Sequence, residues 1–317
     1  MSGELSAFFS VLIGCSIVCC AVFNTRLVWL NARSSSDNNY LQLSPYFISS
    51  CCADTAVICI FGPTLCILVT SKSWNISSIF CAFLDIMFLA LIWSTTVSLL
   101  VYNLDRHCLL VQRRHYPETF GKSRRNTITL IIIYLTSIVT ALPYLALRKA
   151  IGPKHVPMTF LFKSSVLYCV LAIIILYATP VFIIITSLSK TFVHVKIKVR
   201  RFYETEDLTR SRKLPETLAE DFQSYKGLAA SSIIFILTSM PWFIFQFIKA
   251  LQLNSNANTG QEIILFVILV CGVGMKTSVY VLFCGCIRKH FFSNIFVNRS
   301  NEFTLEQPAV VINMGAI

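Results

Sequence analysis

Few residues in this chain are placed to do chemistry, and those few interrupt long apolar stretches. Asp54, Asp85 and Lys276 each fall inside an apolar run, and Asp105-Arg106-His107 closes the run that holds Asp85. An ionisable side chain in hydrocarbon is costly unless it is paired or lines a wet path, so each of these residues marks a candidate site. A lysine in such a run is what a Schiff base to retinal needs, with Asp85 as its counter-ion. A transporter or channel would instead line a path with several charges, and the chain offers only Asp54, Asp85 and Lys276. Arg106, at the edge of its run, must be paired or hydrated, and neighbouring Asp105 supplies one partner. No metal-spaced His/Cys set and no nucleophile motif is present, so the reading includes no enzyme, metal or cofactor.

The elements that carry these residues follow from composition. Hydrophobic residues make up 55% of the chain and charged ones 13%, too few for a water-soluble surface. About 20 apolar residues cross a bilayer as a helix. Seven stretches qualify, over residues 6–30, 44–70, 79–104, 126–147, 164–189, 228–250 and 262–285. The first lacks a basic leader and a small-residue cleavage site, and reads as a span rather than a signal peptide. Most of the 13 cysteines lie in these stretches as small packing residues rather than as a disulfide framework. The net charge of +12 would suggest nucleic acid in a soluble protein, but here Lys and Arg gather between spans. They collect at Arg26 and Arg33, from Arg106 to Arg125, from Lys190 to Lys226, and at Arg288, Lys289 and Arg299. Basic residues stay cytoplasmic, so the N-terminus is outside and the polar stretch from Thr191 to Tyr225 is the third cytoplasmic loop. The expected architecture is an all-α bundle of seven membrane helices over residues 1–297. A short interfacial helix spans residues 286–296, and a cytoplasmic tail spans 298–317.

The third span carries Trp74 ahead of it, Cys81 at its outer end, Asp105-Arg106-His107 about seven turns further in, and then Tyr116. This order resembles the rhodopsin-like (class A) G-protein-coupled receptors, in which an Asp-Arg-Tyr triplet closes the third helix. The resemblance implies that Arg106 reaches an acid on the sixth helix, here Asp221, and releases it on activation to meet a heterotrimeric G protein, with arrestin as a further partner. Asn24 and Ala53-Asp54 resemble the family's intramembrane Asn and Asp. Pro143, Pro180, and Pro241 with Phe235 below it resemble its kink positions, where a missing backbone bond lets a spanning helix bend.

The largest departure is in the seventh helix. The family's Asn-Pro-x-x-Tyr is here Lys276-Thr277-Ser278-Val279-Tyr280, which keeps Tyr280 and places a lysine where the family's Asn faces the Asp of helix two. The hypothesis is that Lys276 pairs with Asp54 in place of a sodium ion, because an unpartnered buried lysine would lose its proton. Visual opsins hold their lysine nearly two turns further out, at the position of Val270, which argues against a photoreceptor. Tyr134, Ser239 and Leu188 replace the family's fourth-helix Trp, sixth-helix Trp and fifth-helix Tyr. These changes keep a non-signalling decoy or heterodimerising receptor open as an alternative. The second outer loop has no cysteine for Cys81, leaving Cys169 or Cys66 as disulfide candidates.

The expected ligand cavity includes Asp85, Phe88, Trp242 and Gln246, with Asp85 facing an amine or, preferably, Arg148 or Lys163. Arg148, Lys149, Lys154, Lys163 and His155 make the mouth electropositive, which suits an anionic small molecule or lipid. Asn75-Ile76-Ser77 is a glycosylation acceptor on the outer side, and Cys284 and Cys286 are palmitoylation candidates. The expected location is the plasma membrane, as a multi-pass protein.

Overall fold

The computed structural model describes residues 3–36, 44–70, 78–111, 123–148, 166–205, 216–251, 259–285, 287–288 and 291. Their main elements are the helices α1 (Gly3–Ser36), α2 (Pro45–Thr70), α3 (Ser78–Val111) and α4 (Ser123–Arg148), then α5 to α7. α5 runs through Val166–Ile173, a π-helical turn at Ile174–Ala178, and Thr179–Thr205. α6 is Glu216–Leu251 and α7 is Thr259–Phe283. All seven are long and apolar enough to cross a membrane. α3, α5 and α6 run past their expected inner ends, so Asp105-Arg106-His107 lies within helix α3 rather than at its edge. Once a span has nucleated the helix, adding each further polar residue costs little.

Burial separates the helices. Only 17% of the α4 span is buried, against 56% for α3 and 61% for α7, so α3 and α7 form the centre and α4 faces lipid. Lipid cannot satisfy a hydroxyl, and four α4 hydroxyls bond their own helix, while Tyr134 OH meets Ser49 Oγ of α2 at 2.9 Å. Thr129, Thr136, Ser137 and Thr140 donate to the carbonyls of Arg125, Ile132, Ile133 and Thr136. The prolines are absorbed in different ways. Pro63, Pro143 and Pro241 sit inside helices α2, α4 and α6. Pro180 follows the π turn, whose last bond runs from the Thr179 N–H to the Ile174 carbonyl, so the proline, which has no N–H to give, enters just after the wider ring.

α6 and α7 approach closely along their length. A Cβ on Gly272 would run into the Thr238 side chain, and one on Gly227 would stand 3.0 Å from the Tyr280 carbonyl oxygen. Without lipid-driven hydrophobic attraction, helices in a bilayer associate by close packing of this kind.

Candidate functional site

Three levels of side chains cross the bundle between its outer and inner ends. The innermost surrounds Arg106. Its Nε lies 3.7 Å from Asp105 Oδ2, and its guanidinium sits over the Tyr102 ring, 5.4 Å from the centroid. Tyr102 OH in turn meets Tyr280 OH at 2.7 Å, tying α3 to α7. His107 Nδ1 lies 2.8 Å from Thr191 Oγ1 of α5, and Asn103 Nδ2 donates to Ser232 Oγ of α6 at 3.3 Å. Four helices therefore converge on the triplet.

The middle level is a buried ion pair. Lys276 Nζ stands 3.0 Å from Asp54 Oδ1 and donates to Ser50 Oγ at 2.7 Å, with the Phe235 ring centroid 5.2 Å away. Thr95 Oγ1 donates to the same carboxylate oxygen at 3.1 Å. Asp54 is 0% exposed and Lys276 2%, so each charge depends on the other. Asn24 does not join this pair. Its amide bonds the Cys51 carbonyl at 3.1 Å and Thr55 Oγ1 at 2.7 Å, fastening α1 to α2.

The outer level is aromatic. The ring centroid of Phe88 lies 5.3 Å from that of Phe61, 5.5 Å from Trp242 and 4.9 Å from Phe266, and all four side chains are buried. Beside them, Phe88, Leu89, Ile92 and Trp93 of α3, Ala172, Ile173 and Leu176 of α5, and Trp242 and Phe243 of α6 line an apolar recess. It encloses a cavity of about 10 Å³, room for about one water molecule. Tyr177 stacks on Phe243 at 4.1 Å and accepts from Ser239 Oγ at 3.1 Å, which joins the π turn to α6 one turn inward of the recess.

The family model for the seven-transmembrane receptors of the rhodopsin family matches residues 8–278. The chain is a rhodopsin-like receptor. No curated protein matches it.

In this receptor the sequence-predicted residues divide. Asp105, Arg106 and Tyr280 meet in the inner level, Asp54 and Lys276 in the middle one, and Phe88 and Trp242 in the outer one. Gln246 lies one turn outward of Trp242, and its Nε2 donates to Glu262 Oε1 at 3.0 Å. Pro180 is buried where α5 leaves the π turn, and Asp85 is 1% exposed. Tyr116, Asn75 and Cys286 lie outside the described residues, as do the side chains of Cys81, Cys169, Asp221, Arg148 and Lys163. Cys284 is 2% exposed, and its Cβ lies beside Gly227 of α6. Of the expected interfacial helix, Ile287, Arg288 and Phe291 are described. Phe291 stacks on Phe23 at 5.0 Å, with the Arg26 guanidinium 5.0 Å from the Phe291 centroid. Sequence reading missed Ser50, Thr95, Tyr102, Thr191 and Glu262. Tyr102 and Arg106 are one helical turn apart, a spacing that could have revealed the stack.

Proposed function

We propose that this receptor passes an extracellular small-molecule or lipid signal to a heterotrimeric G protein at the plasma membrane, by outward movement of the inner half of α6. The observation that carries the reading is the vertical alignment of the three levels on shared helices. Trp242, at the recess, adjoins Pro241. Phe235, on the same helix, packs on the Lys276 ammonium, and Ser232 bonds Asn103 beside Arg106. A ligand that wedges the recess open tilts α6 about Pro241. The tilt draws Phe235 and Ser232 from their partners and clears the face of Arg106 for the G protein. The part of the ligand that meets the recess is apolar, because the nine lining residues are apolar or aromatic. The basic outer loop remains the proposed source of steering for an anionic group, and Asn75 the proposed glycosylation site. Arrestin is the proposed second partner of the inner face.

The test is basal G-protein activation by the wild type beside Arg106→Ala, at equal surface expression and across the main G-protein classes. Loss of signal in the variant supports coupling through Arg106. A signal that survives the substitution overturns it, and silence in both forms leaves a ligand-dependent receptor and a decoy, which ligand screening then separates.

A further inference from the structure

α1 carries a cation inside its apolar span that neither the signalling scheme nor the Lys276 ion pair uses. Arg26 lies within the stretch Ile13–Leu30. Val22, 54% exposed, and Trp29, 48% exposed, stand about one turn to either side of it, on a face that α1 turns to lipid. The Arg26 guanidinium lies 5.0 Å from the ring centroid of Phe291. That ring is 2% exposed and stacks on Phe23 of α1, with the two planes 15° apart. The cation therefore rests on a fixed ring, at the level where the segment after α7 meets α1.

The neighbouring helices do not neutralise this charge. α1 packs against α2 and α7, and the acidic residues of these three helices are Glu4, Asp54 and Glu262. Glu4 is at the outer start of α1, about 33 Å from Arg26 along the helix axis. Glu262 is in the first turn of α7, also at the outer side, and Asp54 is held by Lys276 at 3.0 Å. Arg26 Nε is buried and has no hydrogen-bond partner among the described residues. A ring face offsets part of the charge but cannot accept the fork of N–H bonds that a guanidinium offers. A cation at membrane depth is costly without an anion, so the arrangement calls for one.

We infer that Arg26 and Phe291 form a site for the phosphate group of an anionic phospholipid in the inner leaflet. The planar guanidinium fork matches two phosphate oxygens. Position identifies the source, because Val22 and Trp29 border Arg26 on the lipid side and acyl chains can lie along them. Charge identifies the class. Arg288, exposed and three residues before Phe291, adds a second cation, with its Nη1 bonded to the Leu282 carbonyl at 3.4 Å. The sequence from Tyr280 to Phe291 holds no Asp or Glu. This surplus disfavours the ammonium of a choline headgroup and favours a lipid of net negative charge, in which the cytoplasmic leaflet is rich. A lipid held there fastens the segment after α7 to α1.

The experiment uses the full chain in phosphatidylcholine nanodiscs with increasing phosphatidylserine. Lipids retained by the chain are counted by native mass spectrometry, and the thermal unfolding midpoint is followed in parallel. The wild type is expected to retain phosphatidylserine roughly tenfold over phosphatidylcholine, with a midpoint that rises to saturation. Arg26→Gln is expected to lose both effects, and Arg26→Lys, which keeps the charge without the fork, to keep part of them. Arg124→Gln removes an exposed cation at the inner end of α4 and is expected to change neither. A preference that survives Arg26→Gln, or falls equally in Arg124→Gln, overturns the site in favour of diffuse surface charge. Inorganic phosphate that raises the midpoint as far in phosphatidylcholine alone overturns the lipid as source. Absence of any preference in the wild type overturns the proposal by itself, even where a variant fails to fold.

Discussion

At the level of Trp242 the helices meet through rings, and at the level of Lys276 they meet through charges and hydroxyls. Phe61, Phe88, Trp242 and Phe266 fill the outer level by shape. Asp54, Lys276, Ser50 and Thr95 hold the middle level by specific bonds, and Tyr102 with Tyr280 holds the inner one. Ring packing is broad and non-directional, so a ligand can wedge it open by degrees. A buried ion pair is all-or-none, because separating it strands two charges in a medium that cannot hydrate them. The difference suits a receptor whose outer end must adapt to a ligand and whose inner end must switch.

The sharpest way to break this comparison is at the middle level. Asp54→Ala leaves the Lys276 ammonium uncompensated and should cost about 3–5 kcal/mol of stability. The double variant Asp54→Leu with Lys276→Met should recover most of it, read as the thermal unfolding midpoint in nanodiscs. A double variant as unstable as the single one would show that shape, not charge, holds this level. Phe88→Ala should cost about 3 kcal/mol by opening a cavity in the outer level. Saturating benzene should restore part of the loss, as it fills apolar voids. No recovery would mean that the rings close over the void.

Lys276 also sharpens the contrast through ions. The thermal midpoint of the wild type should be indifferent to exchanging sodium for a bulky organic cation, whereas Lys276→Asn, which frees the Asp54 carboxylate, should gain sodium-dependent stability. Matched indifference in both forms would count against a lysine standing in for a cation. Smaller again, Tyr280→Phe removes one hydrogen bond between α3 and α7, worth about 1 kcal/mol. Basal signalling should rise about fivefold by the same free energy, and Tyr102→Phe should add little to it, since both remove one bond. Additive effects would mean that each tyrosine acts through another partner. The smallest effect should come from lipid-facing α4. Ile132→Leu should stay within about 0.5 kcal/mol.

The sequence alone determined the seven spans, the family and the residues that must be costly in hydrocarbon. Span length is a property of one dimension, readable by counting apolar residues, and a charge inside such a run stands out wherever its partner is. Helix ends were less legible, as α3, α5 and α6 show, because an apolar run marks where the membrane ends and not where the helix does. The partners were decided by tertiary structure. Ser50, Thr95 and Thr140 are alike in sequence as hydroxyls in apolar helices. Yet Ser50 meets Lys276, Thr95 meets Asp54, and Thr140 bonds its own helix. Which of these a hydroxyl does depends on the rotation and crossing of its helix. The packing of seven helices sets those together, through close approaches such as Gly272 against Thr238 and Gly227 against Tyr280, and no single span encodes them.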